Sequence, residues 1–176
     1  SNTDEKVSFQ LTIQMVDIYM ERILDLLGSA SKKGEGLQIR QRLTGLGDGA
    51  TKEPCANYEQ IQRQIDKGDG NRTISGTAMN KTSSRSHTVV TLEFTKVTSH
   101  GEKKSRTTSI INLVDLAGSE KQASQTSGDR LKEGNAINSS LSALGNVISA
   151  LADISMGKAK KGAHVPYRDS ALTRML

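Results

Sequence analysis

Two short polar strings hold most of the residues able to do chemistry. Asn80-Lys81-Thr82-Ser83-Ser84-Arg85-Ser86-His87 gathers hydroxyls, a guanidinium and an imidazole directly before an alternating apolar stretch. Asp115-Leu116-Ala117-Gly118-Ser119-Glu120 follows directly on an apolar run. An apolar strand that delivers an aspartate and then a glycine has the geometry of a nucleotide switch. The carboxylate reaches Mg2+, usually through water, and the glycine brings a backbone N–H to a γ-phosphate. Glycine suits that approach because a side chain would block it. Taken alone, Asp-x-x-Gly is equally the mark of an ordinary strand-to-loop turn, and serine-rich loops commonly hydrogen-bond their own backbone. Together the two strings say more. The hydroxyls of Ser83, Ser84 and Ser86 are suited to ligate Mg2+ and hold phosphate oxygens, and Arg85 and Glu120 form an obvious pair across the site. A pair made only when two loops approach reports the state of the phosphate between them, whereas a plain surface bridge contributes little.

The elements that must position these residues are legible from periodicity. From Val7 to Met15 the odd positions are apolar and the even ones polar, which predicts a strand with one buried face. Ile18–Leu27 reads as a short helical turn stopping near Gly28, Leu37–Arg40 as a short strand, and Leu43–Lys52, with Gly45, Gly47 and Gly49, as a surface loop. Asn57 and Gln60 form a capping box ahead of Tyr58, Ile61 and Ile65, with Gly68 as the stop. Val89–Val97 and Ser109–Leu116 around a polar turn predict a hairpin whose second strand is buried on both faces. Ile137, Leu141, Leu144, Ile148 and Leu151 form one apolar stripe of a long helix ending before Gly157. Lys158, Lys160 and Lys161 then make a basic loop, and Pro166 opens a last segment, Tyr167–Leu176. The fold class is α/β.

Composition sets the outer bounds. A chain of 176 residues fits one domain. Yet aromatics are only 3% and tryptophan is absent, a thin supply for a self-sufficient core, which points to part of a larger domain. Twenty-four basic against nineteen acidic residues give +5, favouring an acidic partner surface. The single Cys55 excludes an internal disulfide and a multi-cysteine metal site, and suggests a reducing, cytoplasmic setting. No apolar run approaches the roughly 20 residues that cross a bilayer, and Ser1–Lys6 has no character of a secretory signal.

On these residues the chain resembles the kinesin motor domain. Asn80 to His87 is similar to that family's switch I string, and Asp115 to Lys121 to its switch II string. Ile137 to Leu151 resembles its relay helix, and His164-Val165-Pro166-Tyr167-Arg168-Asp169-Ser170 with Leu172-Thr173-Arg174 its microtubule-contacting loop and helix. The resemblance spans residues 1–176 and implies a partial P-loop NTPase-type motor fold, a central mixed sheet flanked by helices. It implies ATP and Mg2+ as nucleotide and metal, microtubules of α/β-tubulin as partner, and a cytoskeletal location. No nucleic-acid or membrane partner is implied, and any coiled coil or dimer contact would lie outside these residues.

Roles follow by the same likeness. Ser83 and Ser84 would position Mg2+ and the attacking water, with Asn80 supporting the loop. Asp115 would hold Mg2+ through water, Gly118 would sense the γ-phosphate, and Arg85 with Glu120 would close the site. Lys158, Lys160, Lys161, His164, Tyr167, Arg168 and Arg174 would face tubulin. One departure matters: no Gly-x-x-x-x-Gly-Lys-Ser/Thr string occurs, so these residues alone are expected to be inactive as an ATPase. Two alternatives stand beside the motor reading: a non-catalytic tubulin-binding module, and a nucleotide switch serving another partner. The segment His164–Arg174 speaks against the second.

Overall fold

The computed structural model describes residues 6–28, 49–78, 83–101, 103–119, 128–160 and 162–176. Its strands are β1 (Lys6–Tyr19), β2 (Arg22–Asp25), β3 (Glu53–Cys55), β4 (His87–His100) and β5 (Lys103–Asp115). The helices are α1 (Tyr58–Ala78), α2 (Gly128–Ser155) and the short α3 (Ala171–Arg174), with one 3-10 turn at Ser83–Arg85. The sheet runs β2-β1-β4-β5, with β3 beside β2 on the same edge of β1. Every pairing among the described strands is antiparallel, so the mixed sheet expected is not seen within them. The reason is topological. The crossover β3–α1–β4 does carry the chain between two strands of like direction, but β1 lies between them and pairs with both.

Strand β1 organises the core because successive side chains point to opposite faces. Ile13 and Met15 pack with Leu26, Leu27 and Cys55 beneath Ile61 and Ile65 of α1. Val16 and Ile18 pack with Ile23 and Val89 against Ala171, Leu172 and Met175 on the other face. With both faces covered, residues 13–18 are all buried. The expected single buried face from Val7 onward is therefore corrected: Val7 and Phe9 are exposed, and Phe9 stacks on Phe94 at 5.3 Å between ring centroids.

The helical turn expected over Ile18–Leu27 is instead a hairpin. Met20 and Glu21 both have positive φ, 48° and 63°, the backbone of a two-residue turn that matches strand twist. The apolar residues Ile18 and Ile23 that suggested a helix are cross-strand partners. Glu21 is an uncommon residue for such a conformation; its Oε2 accepts from the Ala171 backbone N–H at 2.6 Å, tying the turn to α3.

Asn57 caps α1, its Oδ1 accepting from Gln60 N–H at 3.0 Å, while the Gln60 Oε1 accepts from Ala56 N–H rather than from Asn57. Gly68 does not stop the helix. A Cβ there would sit 2.1 Å from Met15 Sδ, so glycine allows α1 to lie close on β1. The β4–β5 hairpin forms as expected, turning at Gly101 with φ +57°. Burial of β5 on both faces does not occur: Ile110, Ile111 and Leu113 are exposed, because no described element covers them. The stripe on α2 is also rotated from expectation. Glu133, Ile137, Ser140, Ala143 and Val147 are buried, whereas Ile148 and Leu151 face outward. Helix α2 ends at Ser155 and is followed by Gly157, φ +69°, with Lys158 N–H returning to Asp153 O at 2.8 Å. The expected strand Leu37–Arg40 and most of the glycine loop lie outside the described residues.

Candidate functional site

The two strings singled out in the sequence meet at the corner where β4 begins and β5 ends. Antiparallel register sets Thr88 opposite Asp115 and Asp17 opposite Thr88, so these three form a row across the sheet on the α1 side. Arg72 of α1 lies over that row. Its Nη1 is 3.3 Å from Asp115 Oδ2, its Nε 3.6 Å from Asp17 Oδ1, and its Nη2 donates to Ser86 O at 3.3 Å. Asp17 is buried, while the Asp115 side chain is 74% exposed and open to a further partner. Beyond Asp115, Gly118 N–H donates to Ser84 O at 3.0 Å, a direct backbone bond between the two loops.

The opposite face of the sheet joins the same loops to α2. Arg85 Nη1 is 3.4 Å from Glu133 Oε2, and that carboxylate is almost fully buried. Tyr19, the last residue of β1, hydrogen-bonds to Glu133 as well. Burial first, then this carboxylate, pushes its phenol above the ordinary range, with Arg85 acting the other way. His87 is buried and its imidazole is bonded at both nitrogens. Ala117 N–H donates to Nδ1 at 3.0 Å, and Nε2 lies 2.8 Å from Ser140 Oγ. Because a backbone N–H only donates, Nδ1 accepts and Nε2 carries the proton. Ser140 in turn donates to Ile137 O at 2.7 Å. Burial pushes the His87 pKa down, partly offset by Asp17, Glu21 and Asp115, so the ring is neutral at physiological pH.

The structure thus brings Ser84, Arg85, Asp115 and Gly118 to one corner. The backbone of Ser83 lies in the 3-10 turn beside them. Asn80 and Glu120 lie outside the described residues; within them, the partner of Arg85 is Glu133. The donor set suits Mg2+ delivered with phosphates. Ser84 and Asp115 offer hard oxygens, and no group of three or more His, Cys, Asp or Glu among the described residues could hold a metal unaided.

Of the expected tubulin-facing residues, Lys158 and Lys160 directly follow the C-terminal end of α2, whereas Arg174 lies on α3, which packs against Ile18 and Ile23 of the sheet and Leu144 of α2. The 28 residues of α2 span about 40 Å at ~1.5 Å each. Lys158, Lys160, His164, Arg168 and Arg174 are exposed and Tyr167 is half-buried; Lys161 lies outside the described residues. Their display has a local cause. Ser170 and Thr173 form a reciprocal capping box, and fully buried Leu172 anchors α3 to the sheet. Arg174 then turns outward, its Nε and Nη2 donating to Arg168 O at 3.1 and 2.9 Å.

Sequence reasoning missed Arg72, Glu133 and Tyr19, and gave His87 no role. Glu133 carried a readable signal, since it lies four residues before Ile137 on the buried side of α2. Arg72 carried one too, since it continues the Ile61, Ile65 and Gly68 spacing along the face of α1 that meets the sheet.

The family model described as kinesin motor domain matches residues 1–176. The chain is 47% identical over 175 residues to kinesin-like protein KIF28 of Mus musculus, covering 98% of this chain and 16% of that protein. It is 43% identical over 180 residues to kinesin-like protein KIF16B of Homo sapiens, covering 98% of this chain and 14% of the relative. Among solved structures, one titled as a fast kinesin superposes with TM-score 0.76 at 37% identity, over 96% of this chain and 46% of that one. A KIF14 dimer with AMP-PNP in complex with a microtubule gives 0.75 at 40% identity, over 95% and 48%. The chain therefore spans less than half of these solved chains and about one sixth of the curated relatives.

Proposed function

The chain belongs to the kinesin motor-domain family, a family of microtubule-based motors, and on that premise we propose that it forms the switch and track-binding part of a microtubule-stimulated ATPase. The observation that carries this is the Gly118 N–H to Ser84 O bond, 3.0 Å, beside Asp115 and at the head of α2. That N–H is a donor for which a γ-phosphate competes, so the bond is one position of a two-position element. Ser84 and Asp115 would hold Mg2+, the latter through water, and the ion would neutralise charge on the phosphates. Ser83, with Asn80 supporting the loop, orients the attacking water, and Arg85 meets Glu120 when the loops close. In the structure Arg85 sits on Glu133, so closure exchanges one carboxylate for another and draws on α2 as it does so. Beyond α2 in the chain, Lys158, Lys160, Lys161, His164, Tyr167, Arg168 and Arg174 meet acidic tubulin, which gives the protein its cytoskeletal location.

ATP turnover with and without microtubules, measured on a complete motor domain carrying this sequence, tests the reading. Stimulation of about tenfold or more is expected, and no stimulation overturns it. The 176 residues themselves contain no phosphate-binding loop string, whose backbone N–H groups and lysine supply most triphosphate contacts. Calorimetry on them alone should show no saturable micromolar ATP binding.

A further inference from the structure

We propose that His87 is a positioning residue that couples the loop after β5 to α2 by reading both at once through its two ring nitrogens. This inference rests on the motor reading above. The imidazole takes the N–H of Ala117, next to the Gly118 that bonds to Ser84, and gives its own N–H to Ser140, which passes a proton donor to Ile137 O. A continuous donor chain therefore runs from the phosphate-sensing loop into the helix backbone, with each polar atom satisfied. Its members are buried: Ala117, His87, Ser140 and Ile137 are all shielded from water. A break in such a chain is costly, because the freed donor or acceptor finds no solvent.

The geometry also gives direction. Gly118 and Ala117 are consecutive, so a shift of Gly118 N–H from Ser84 O toward a phosphate pulls on Ala117, whose own N–H is bonded to the ring. His87 is fixed in β4 through its register with Ile18, so the ring cannot follow without leaving Ser140. Displacement of the loop and displacement of α2 are thus exclusive of one relaxed ring position. Arg85 and Glu133 link the same parts, but through a bond of 3.4 Å that the closing of the site is expected to exchange. The imidazole needs no exchange of partners to feel both parts, because it is bonded to the loop and to α2 at once.

Two half-variants separate the two bonds. His87→Asn keeps an acceptor near the Nδ1 position and loses the reach to Ser140. His87→Gln keeps a donor near Nε2 and loses the Ala117 bond. Ser140→Ala cuts the chain from the helix side without touching the ring. In a complete motor domain carrying this sequence, all three should lower the microtubule-stimulated kcat about tenfold. Ser140→Ala should leave basal turnover and the half-maximal microtubule concentration within about twofold. A stimulated kcat within about twofold of wild type in Ser140→Ala and His87→Gln overturns the proposal. So does a parallel fall of basal and stimulated turnover, which marks the chain as structural support only. Nitrogen NMR of the wild-type His87 ring adds a readout independent of turnover: Nε2 protonated and Nδ1 bare is expected, and the opposite tautomer contradicts the chain. If the wild type itself shows no microtubule stimulation, the motor reading has failed, whereas the tautomer still tests the contact.

Discussion

The two ends of α2 are built on opposite principles. Its first half buries one face whose polar groups have partners: Glu133 meets Arg85 and Tyr19, and Ser140 meets His87. Its far end runs into an exposed basic segment in which Lys158 and Lys160 stand in solvent. Buried, hydrogen-bonded charge fixes geometry, because leaving one partner alone is expensive. Exposed charge fixes nothing; it attracts an acidic surface over distance and is screened by salt. One helix thus joins an end made for position to an end made for encounter.

The sharpest way to break this contrast lies at the buried end. In a complete motor domain, Glu120→Ala or Arg85→Ala should leave ATP binding nearly intact and slow hydrolysis by about a hundredfold or more. Turnover of either within about twofold of wild type would reduce the pair to a surface bridge. The two should differ in stability, because Arg85→Ala also strands the buried Glu133 carboxylate. A lower melting temperature for Arg85→Ala alone is expected; equal melting would mean that the Glu133 pair does not hold α2.

Core packing under α3 comes next. Leu172 is fully buried, and Leu172→Ala should cost about 2–5 kcal/mol. The loss should also free the segment that displays Arg168 and Arg174, so microtubule affinity should fall with stability in denaturation and co-sedimentation assays. Unchanged affinity at reduced stability would separate display from packing.

At the exposed end, changing Lys158, Lys160 and Lys161 to alanine should raise the half-maximal microtubule concentration several-fold at low salt. Basal turnover should stay put. The effect should shrink near physiological ionic strength, where the Debye length is about 8 Å. No shift at low salt would make the lysines a merely solvated face. Arg168→Ala or Arg174→Ala, beside the anchored α3, should cost more per charge.

The smallest effect concerns pH. Burial lowers the His87 pKa, so the unfolded chain takes up a proton that the folded one refuses. Stability is then full above the unfolded value of about 6.5 and falls as pH drops from there toward the depressed folded value. Urea titrations across that window should show the decline, and His87→Gln should flatten it. An equal slope in the variant would place the titration elsewhere.

How much of this was legible in the sequence varied with what covers each element. The hairpin of β4 and β5, the Asn57 cap and the position of the two polar strings follow from local pattern, which the sequence carries in full. Residues 13–18 and the Met20-Glu21 turn did not read correctly, because a strand covered on both faces loses its alternation and then mimics a helix. The opposite error befell β5 and α2. Their apolar residues predicted burial, yet Leu113 is 53% and Ile148 58% exposed. Pattern shows that a face is apolar, not what lies against it, and this chain spans less than half of the solved motors it matches. At the site, the residues proposed to meet phosphate and metal came from their motifs. For Arg72 and Glu133 helical spacing marked the buried face but not the partners, which lie far away in sequence.

The central claim is that the phosphate corner and the basic end share one free-energy coupling through α2, and coupling of that kind is reciprocal. The most direct measurement is the microtubule affinity of a complete motor domain carrying this sequence, by co-sedimentation, with ADP and with a non-hydrolysable ATP analogue. A difference of about tenfold or more between the two nucleotides is expected, within the usual range of coupling between sites. Equal affinities would mean that the two ends of α2 act independently, and would contradict the account.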